Sequence, residues 1–184
     1  MPKLIIGLVG PLASGKGVVK TYLEEKHSAV SYKFSDILRD ILNRLYLPTS
    51  RENMQNLSTD LRSKFGNDIL AKAMAQDVKN ERQDLVIIDG VRRLDDILPL
   101  TDDPKFKLIS IDADLKVRYE RMRLRNENPG DSNKTFEDFL TDSEREAEME
   151  IPKTMANAHY HLDNNHNLAH LYEQIDNLLI KIIN

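Results

Sequence analysis

Residues 10–17 read Gly-Pro-Leu-Ala-Ser-Gly-Lys-Gly and follow directly on the apolar run Leu4–Val9. An unbroken apolar run stopped by glycine is the pattern of a strand buried on both faces. Gly10 to Lys16 match the phosphate-binding loop pattern G-x-x-x-x-G-K-[ST], and Gly17 stands where the hydroxyl residue belongs. In such a loop the glycines let backbone N–H groups turn toward phosphate oxygens. Lys16 adds a positive charge, and the N-terminus of the next helix adds further donors. The predicted contacts to a nucleoside triphosphate are Gly10, Ala13, Ser14, Gly15, Lys16, Gly17 and Val18. A plain glycine-rich turn is the alternative; glycines, lysine and strand–loop–helix context together favour the phosphate cradle.

The rest of the chain alternates strands with helices. A first helix should run from the loop to about His27, followed by a short strand at Ala29–Tyr32. Ser35 or Asp36 is expected to cap a helix reaching Leu45. Met54, Leu57, Leu61 and Phe65 have helical spacing and read as a packing stripe ended by Gly66. A helix at Asn67–Lys79 precedes a strand at Asp84–Ile88, closed by Asp89-Gly90. Phe106–Ile111 is the fourth strand, and Asp114 is expected to cap a helix to about Asn126. A polar loop to Lys134 leads to a capping box at Thr135–Asp138 and a helical stretch to about Met149. A strand at His159–Leu162 and a helix at Leu168–Ile182 complete the chain. This order predicts an α/β fold: a parallel sheet between helical layers, with ligands at the carboxyl ends of the strands.

A chain of 184 residues predicts a single domain with a real core. The net charge of −4 gives no bulk signal for a nucleic-acid partner. The absence of cysteine excludes disulfides and Cys-based zinc sites and suits a cytoplasmic setting. The N-terminal apolar run is too short for a membrane span. Nothing distinguishes a monomer from a homodimer.

The chemistry-bearing residues cluster at the predicted strand ends. Asp89, opposite the phosphate loop, is placed to hold Mg²⁺ through water, though a turn aspartate would also fit. Arg92 and Arg93 follow it; beside a phosphate cradle they suit capture of a second anion, and on an open surface they would be a solvated pair. Arg39 and Arg62 carry the same two readings. Arg118, Arg121 and Arg125 share one helix face, and a polar loop then leads to Arg145. A mobile arginine-bearing segment would supply charge and exclude water during phosphoryl transfer, while pairing with Glu120 and Glu127 is the alternative. His159 and His161 share a strand face and His166 and His170 a helix face, but no acidic or cysteine ligands accompany them.

On these residues the chain resembles P-loop kinases of small molecules, in the adenylate kinase and dephospho-CoA kinase group. Gly-Lys-Gly at 15–17 is similar to the adenylate kinase loop, which continues with Thr where this chain has Val18. Phe34-Ser-Asp-Ile-Leu-Arg39 resembles the helix that holds the acceptor nucleotide, and Asp89-Gly-Val-Arg-Arg93 resembles the Asp-Gly-Phe-Pro-Arg segment. The segment Leu-Arg-Ser-Lys-Phe-Gly at 61–66 and Asp-Gly-Val-Arg at 89–92 are closest to uncharacterised adenylate-kinase-related proteins of archaea.

The resemblance implies a P-loop NTPase three-layer α/β/α sandwich with a five-stranded parallel sheet. Residues 1–184 would form one kinase domain, with an acceptor-binding helical segment near 35–80 and a short lid near 121–150. It implies ATP with Mg²⁺ as phosphoryl donor, bound by the loop, Arg121 and Asn165. Asp36, Arg39, Arg62, Arg92 and Arg93 would meet the acceptor. Lys16, Asp36, Asp89, Arg121, Arg125 and Arg145 would serve catalysis, with Asp36 the base if the acceptor is a hydroxyl. The expected activity is γ-phosphoryl transfer to a small phosphorylated, nucleotide-like acceptor, foremost a (deoxy)nucleoside monophosphate. Dephospho-CoA kinase is the alternative within the class, and a nucleotide-binding regulator with little or no ATP hydrolysis the alternative outside it. Neither Gly17 nor Val18 offers Mg²⁺ a hydroxyl, so Ser14 or Asp36 would have to assist Asp89.

Overall fold

The computed structural model describes residues 2–125, 131–144 and 149–183. Five strands form one parallel sheet: β1 (Leu4–Val9), β2 (Val30–Lys33), β3 (Leu85–Val91), β4 (Phe106–Asp112) and β5 (Tyr160–Asp163), in the order β2-β3-β1-β4-β5. Among the described residues the α-helices are α1 (Lys16–His27), α2 (Phe34–Arg44), α3 (Arg51–Phe65), α4 (Ile69–Asn80), α5 (Leu115–Arg125), α6 (Phe136–Ser143), α7 (Ile151–Met155) and α8 (Leu168–Ile183). The α/β fold and the five-stranded parallel sheet are as the sequence predicts. No described helix is long and apolar enough to cross a membrane.

The central position of β1 follows from its composition. Every residue of the strand is buried, and alternate side chains serve opposite faces. Leu4, Ile6 and Leu8 join Val19 and Leu23 of α1 and Leu171, Ile175 and Leu179 of α8. Ile5 and Val9 join Met74, Ala75 and Val78 of α4 and Ile151 of α7. Two apolar layers therefore clamp β1, and the loop that follows it emerges between the ends of β3 and β4.

Several boundaries differ from expectation. Strand β3 does not stop at Ile88: Asp89 pairs with Leu8 and Val91 with Val9, and the register slips by a residue at Gly90, whose φ is 89°. Helix α2 begins at Phe34 without a side-chain cap. Ser35 Oγ and Asp36 Oδ1 instead accept hydrogen bonds from Arg39 at 2.8 and 2.6 Å. Helix α3 ends on Gly66 as its spacing indicates, but buries no residue. Its apolar stripe is half-exposed, and Phe65 is 65% exposed. Periodicity identified a helix there, not a core helix. The Thr135–Asp138 capping box is present at α6.

The edge strand β2 is fastened by side chains. Tyr32 donates to Glu81 Oε2 at 2.5 Å, just beyond α4. The acceptor carboxylate pushes the Tyr32 phenol up to about 12, burial adding to the effect. Glu81 is held below the usual carboxylate range by the same bond and by the Arg82 and Gln83 amides. The stabilisation from Tyr32 is complete below its unfolded value of 10.0 and is lost as pH rises through about 12. That from Glu81 is complete above its unfolded value of 4.5 and is lost as pH falls through its lowered folded value. Tyr32→Phe should therefore lower Tm, with the gap to wild type constant between these limits and narrowing outside them. Thermal melts across pH check this; a gap independent of pH would refute the coupling.

Candidate active site

The loop after β1 is shaped from beneath. A Cβ on Gly10 would lie 2.3 Å from the Ile111 carbonyl oxygen, so only glycine lets the chain pass the end of β4. Ala13 and Gly15 take left-handed φ values of 61° and 106°, which curl the backbone. Asn164, beyond β5, donates from Nδ2 to the Ser14 carbonyl at 2.8 Å. It occupies the space a side chain at position 15 would need, since a Cβ there would meet Nδ2 at 2.1 Å. The side chains of Ser14 and Asn164 are buried, and Ser14 Oγ and Asn164 Oδ1 have no hydrogen-bond partner among the described residues. Lys16 lies along the loop, donating to the carbonyls of Gly10 and Pro11 at 2.5 and 2.9 Å.

Helices α5 and α6 pack onto this loop. Phe139 of α6 and Met122 of α5 are buried against Ala13, with Leu12, Leu115 and Tyr119 beside them. Arg118 donates to the Leu12 carbonyl at 3.2 Å, with its guanidinium 5.7 Å from the Phe139 ring centroid. Arg121 reaches instead to the carbonyls after β5, Asn164 at 2.6 Å and His166 at 3.3 Å. Asn165 Oδ1 accepts the Asp114 N–H at 2.7 Å. The structure thus brings Arg121 and Asn165 to the side of the loop where β4 and β5 end. Arg145 and the side chain of Arg125 lie outside the described residues.

On the other side, a cleft of about 820 Å³ opens between α3 and the ends of β2 and β3. Lys33, Arg51, Arg62, Arg92 and Arg93 line it, against the two carboxylates Asp89 and Asp96. Arg62, Arg92 and Arg93 therefore come together as the sequence predicts. Asp36 does not join them. It lines a separate hollow of about 510 Å³ with Asp40, Asp77 and Glu81, and burial, aided by Asp40, pushes the Asp77 carboxyl up. Arg39 reaches the cleft only through Ser35, which lines its edge.

Three positions that organise the cleft wall are not among the residues the sequence singles out. Asp96, 6% exposed, accepts the Arg92 and Arg93 amides on Oδ2 at 3.1 Å each and faces Arg62 from Oδ1 at 3.5 Å. Thr154 of α7 donates to the Arg92 carbonyl at 3.0 Å. Lys33 stands 3.8 Å from Asp89. Only the spacing of Asp96 four residues after Arg92 could have hinted at the first.

The donor set for Mg²⁺ is sparse but coherent. Asp89 ends on the cleft wall with its side chain 17% exposed, and one carboxylate with substrate oxygens and waters is a normal Mg²⁺ environment. Ser14 cannot assist, because its hydroxyl is buried within the loop. At Gly17 a Cβ would meet nothing within 4 Å, so steric crowding is not the reason a hydroxyl is missing. Gly17→Ser should leave Tm within about 1 °C of wild type, as surface substitutions do. Gly15→Ala should cost at least about 1 kcal/mol, from backbone strain alone. Paired thermal melts check both; equal stabilities would refute the geometry of the loop.

Against this geometry the comparisons are consistent. A family model described as an AAA domain matches residues 6–153. A UPF0200 protein of Methanococcus maripaludis is 29% identical over 182 residues, covering 98% of each chain. A UPF0200 protein of Staphylothermus marinus is 29% identical, covering 98% of this chain and 94% of its own. Among solved structures, shikimate kinase from Bacteroides thetaiotaomicron aligns with a TM-score of 0.61 at 14% identity, over 97% of this chain and 98% of the other. A gluconokinase from Sinorhizobium meliloti 1021 aligns with a TM-score of 0.52 at 15% identity, over 97% of each. These structural likenesses speak for the fold. The resemblance to P-loop kinases and to archaeal relatives holds. With the model covering most of its length, the chain belongs to the AAA domain family and has a P-loop kinase-like fold.

Proposed function

We propose that this protein is an ATP-dependent phosphotransferase acting on a small nucleotide-like anion, foremost a nucleoside or deoxynucleoside monophosphate. One observation carries the reading: a second, cationic cleft shares Asp89 with the strand end beside the phosphate loop. A protein that only senses a nucleotide needs the loop but not Arg62, Arg92 and Arg93 gathered around another space. The reading takes a cytoplasmic protein with no nucleic-acid or membrane partner.

In this mechanism the loop amides and Lys16 hold the donor phosphates, while the arginines of the cleft orient the acceptor. An acceptor oxygen forms a bond to Pγ as the bond from Pγ to the β–γ bridging oxygen breaks, and ADP leaves with that electron pair. An ionised phosphate acceptor has no proton to lose. Asp89 would hold Mg²⁺ through water, and the ion when bound supplies charge neutralisation at the phosphate oxygens. The lid excludes water by packing on Ala13 and Leu12, and Arg121, with Arg125 and Arg145, is assigned to transition-state charge.

The test is ADP formation with Mg-ATP and a panel of nucleoside monophosphates, dephospho-CoA, shikimate and gluconate. Acceptor-dependent ADP is expected, falling about a hundredfold or more in Lys16→Ala. Arg93→Ala should raise the acceptor KM about tenfold while leaving ATP affinity within about twofold. ATP binding without acceptor-dependent ADP across the panel would favour the regulator.

A further inference from the structure

We propose that Asp96 is the positioning residue of the acceptor site. Its carboxylate holds Arg62 on one oxygen and the backbone of Arg92 and Arg93 on the other, and so sets the span between the two cationic walls. The inference rests on the acceptor cleft described above and names what organises it.

The two walls come from different parts of the fold. Arg62 projects from α3, whose apolar residues Met54, Leu57 and Leu61 are only half-buried. Arg92 and Arg93 follow β3, which is fixed in the sheet. Guanidinium groups facing one space repel each other until an anion arrives. Asp96 supplies a built-in negative charge between them. At 6% exposure that carboxylate must be paired, and its pairs span both walls: Arg62 at 3.5 Å and the two amides at 3.1 Å. Thr154 holds the opposite end of the same peptide unit, at the Arg92 carbonyl. The Arg92 backbone is therefore fixed at both N–H and C=O, while the arginine side chains remain at the cleft. Arg62 also donates to the Asn67 carbonyl, which steadies its direction. Asp96 thus acts through other residues: it fixes their separation before any ligand binds, which is the preorganisation a phosphate site requires.

The experiment compares wild type, Asp96→Asn and Asp96→Glu, each with the phosphate loop filled by a non-hydrolysable ATP analogue. Titration with inorganic phosphate and with AMP reads acceptor-site affinity. Amide hydrogen exchange at Arg92 and Arg93 reads the backbone. Asp96→Asn keeps the shape but turns an N–H₂ group toward other donors. It should weaken both ligands about tenfold or more and speed exchange at the two amides, with ATP affinity within about twofold. Asp96→Glu keeps the charge and should recover part of the affinity. Unchanged acceptor affinity, or equal losses of acceptor and ATP affinity in a folded variant, would overturn the proposal. So would a wild type that binds neither phosphate nor AMP. If Asp96→Asn does not fold, Asp96→Glu decides: selective weakening of the acceptor side supports the role, and no change refutes it. Wild-type phosphate binding without turnover of any panel acceptor would sink the phosphotransfer reading while leaving Asp96 in place. A working kinase whose Asp96→Asn form keeps its acceptor affinity would do the reverse.

Discussion

The side-chain amide of Asn164 lies under the phosphate loop, and the form of that loop depends on it. Its Nδ2 donates to Ser14, its backbone N–H donates to Asp112 at 2.8 Å, and its carbonyl accepts from Arg121. One residue thus joins the loop after β1, the ends of β4 and β5 and helix α5. The glycine at position 15 follows from this contact as much as from its own φ angle, since any side chain there would displace the amide. Breaking a buried hydrogen bond of this kind typically costs about 1–3 kcal/mol, because both partners lose access to water. The loop keeps its curled form through a residue 150 positions away in sequence.

The two halves of the site are held by different physics. The donor loop continues a strand packed into apolar layers on both faces, and Phe139 seals it from above. The α3 wall of the cleft has no fully buried side chain, and the contact between Arg62 and Asp96 adds to its half-buried apolar stripe. Elements fastened by few apolar contacts open at lower free energy than the core. The α3 wall of the cleft is therefore expected to open at lower free energy than the sheet wall that carries Arg92 and Arg93.

Much of this was legible from local pattern. The strand–loop–helix run at 4–27, the capping box at Thr135 and the helix stop at Gly66 depend on neighbours within a few residues. The sheet followed from alternation of apolar strands and amphipathic helices. What was not legible depends on pairs distant in sequence. Thr154 meets Arg92 across 62 residues, and no periodicity announces such a contact. The α3 stripe misled because helical spacing reports secondary structure, whereas burial depends on which neighbour covers the face. Ser35 and Asp36 looked like caps, but the Arg39 guanidinium offers both oxygens a charged donor, which outcompetes a neutral backbone N–H. Asp36 was placed at the chemistry by its position after β2, yet its side chain lies toward the acidic hollow.

That hollow sharpens the electrostatic argument for a small ligand. The chain is acidic overall, with a net charge of −4, and four carboxylates face the hollow flanking α2. The cations Arg62, Arg92 and Arg93 sit in a cleft of about 820 Å³, within the range of small-molecule sites. Low-dielectric walls focus the positive field of such a cleft onto a compact anion. Five cations, Lys33, Arg51, Arg62, Arg92 and Arg93, line the cleft with the carboxylates Asp89 and Asp96.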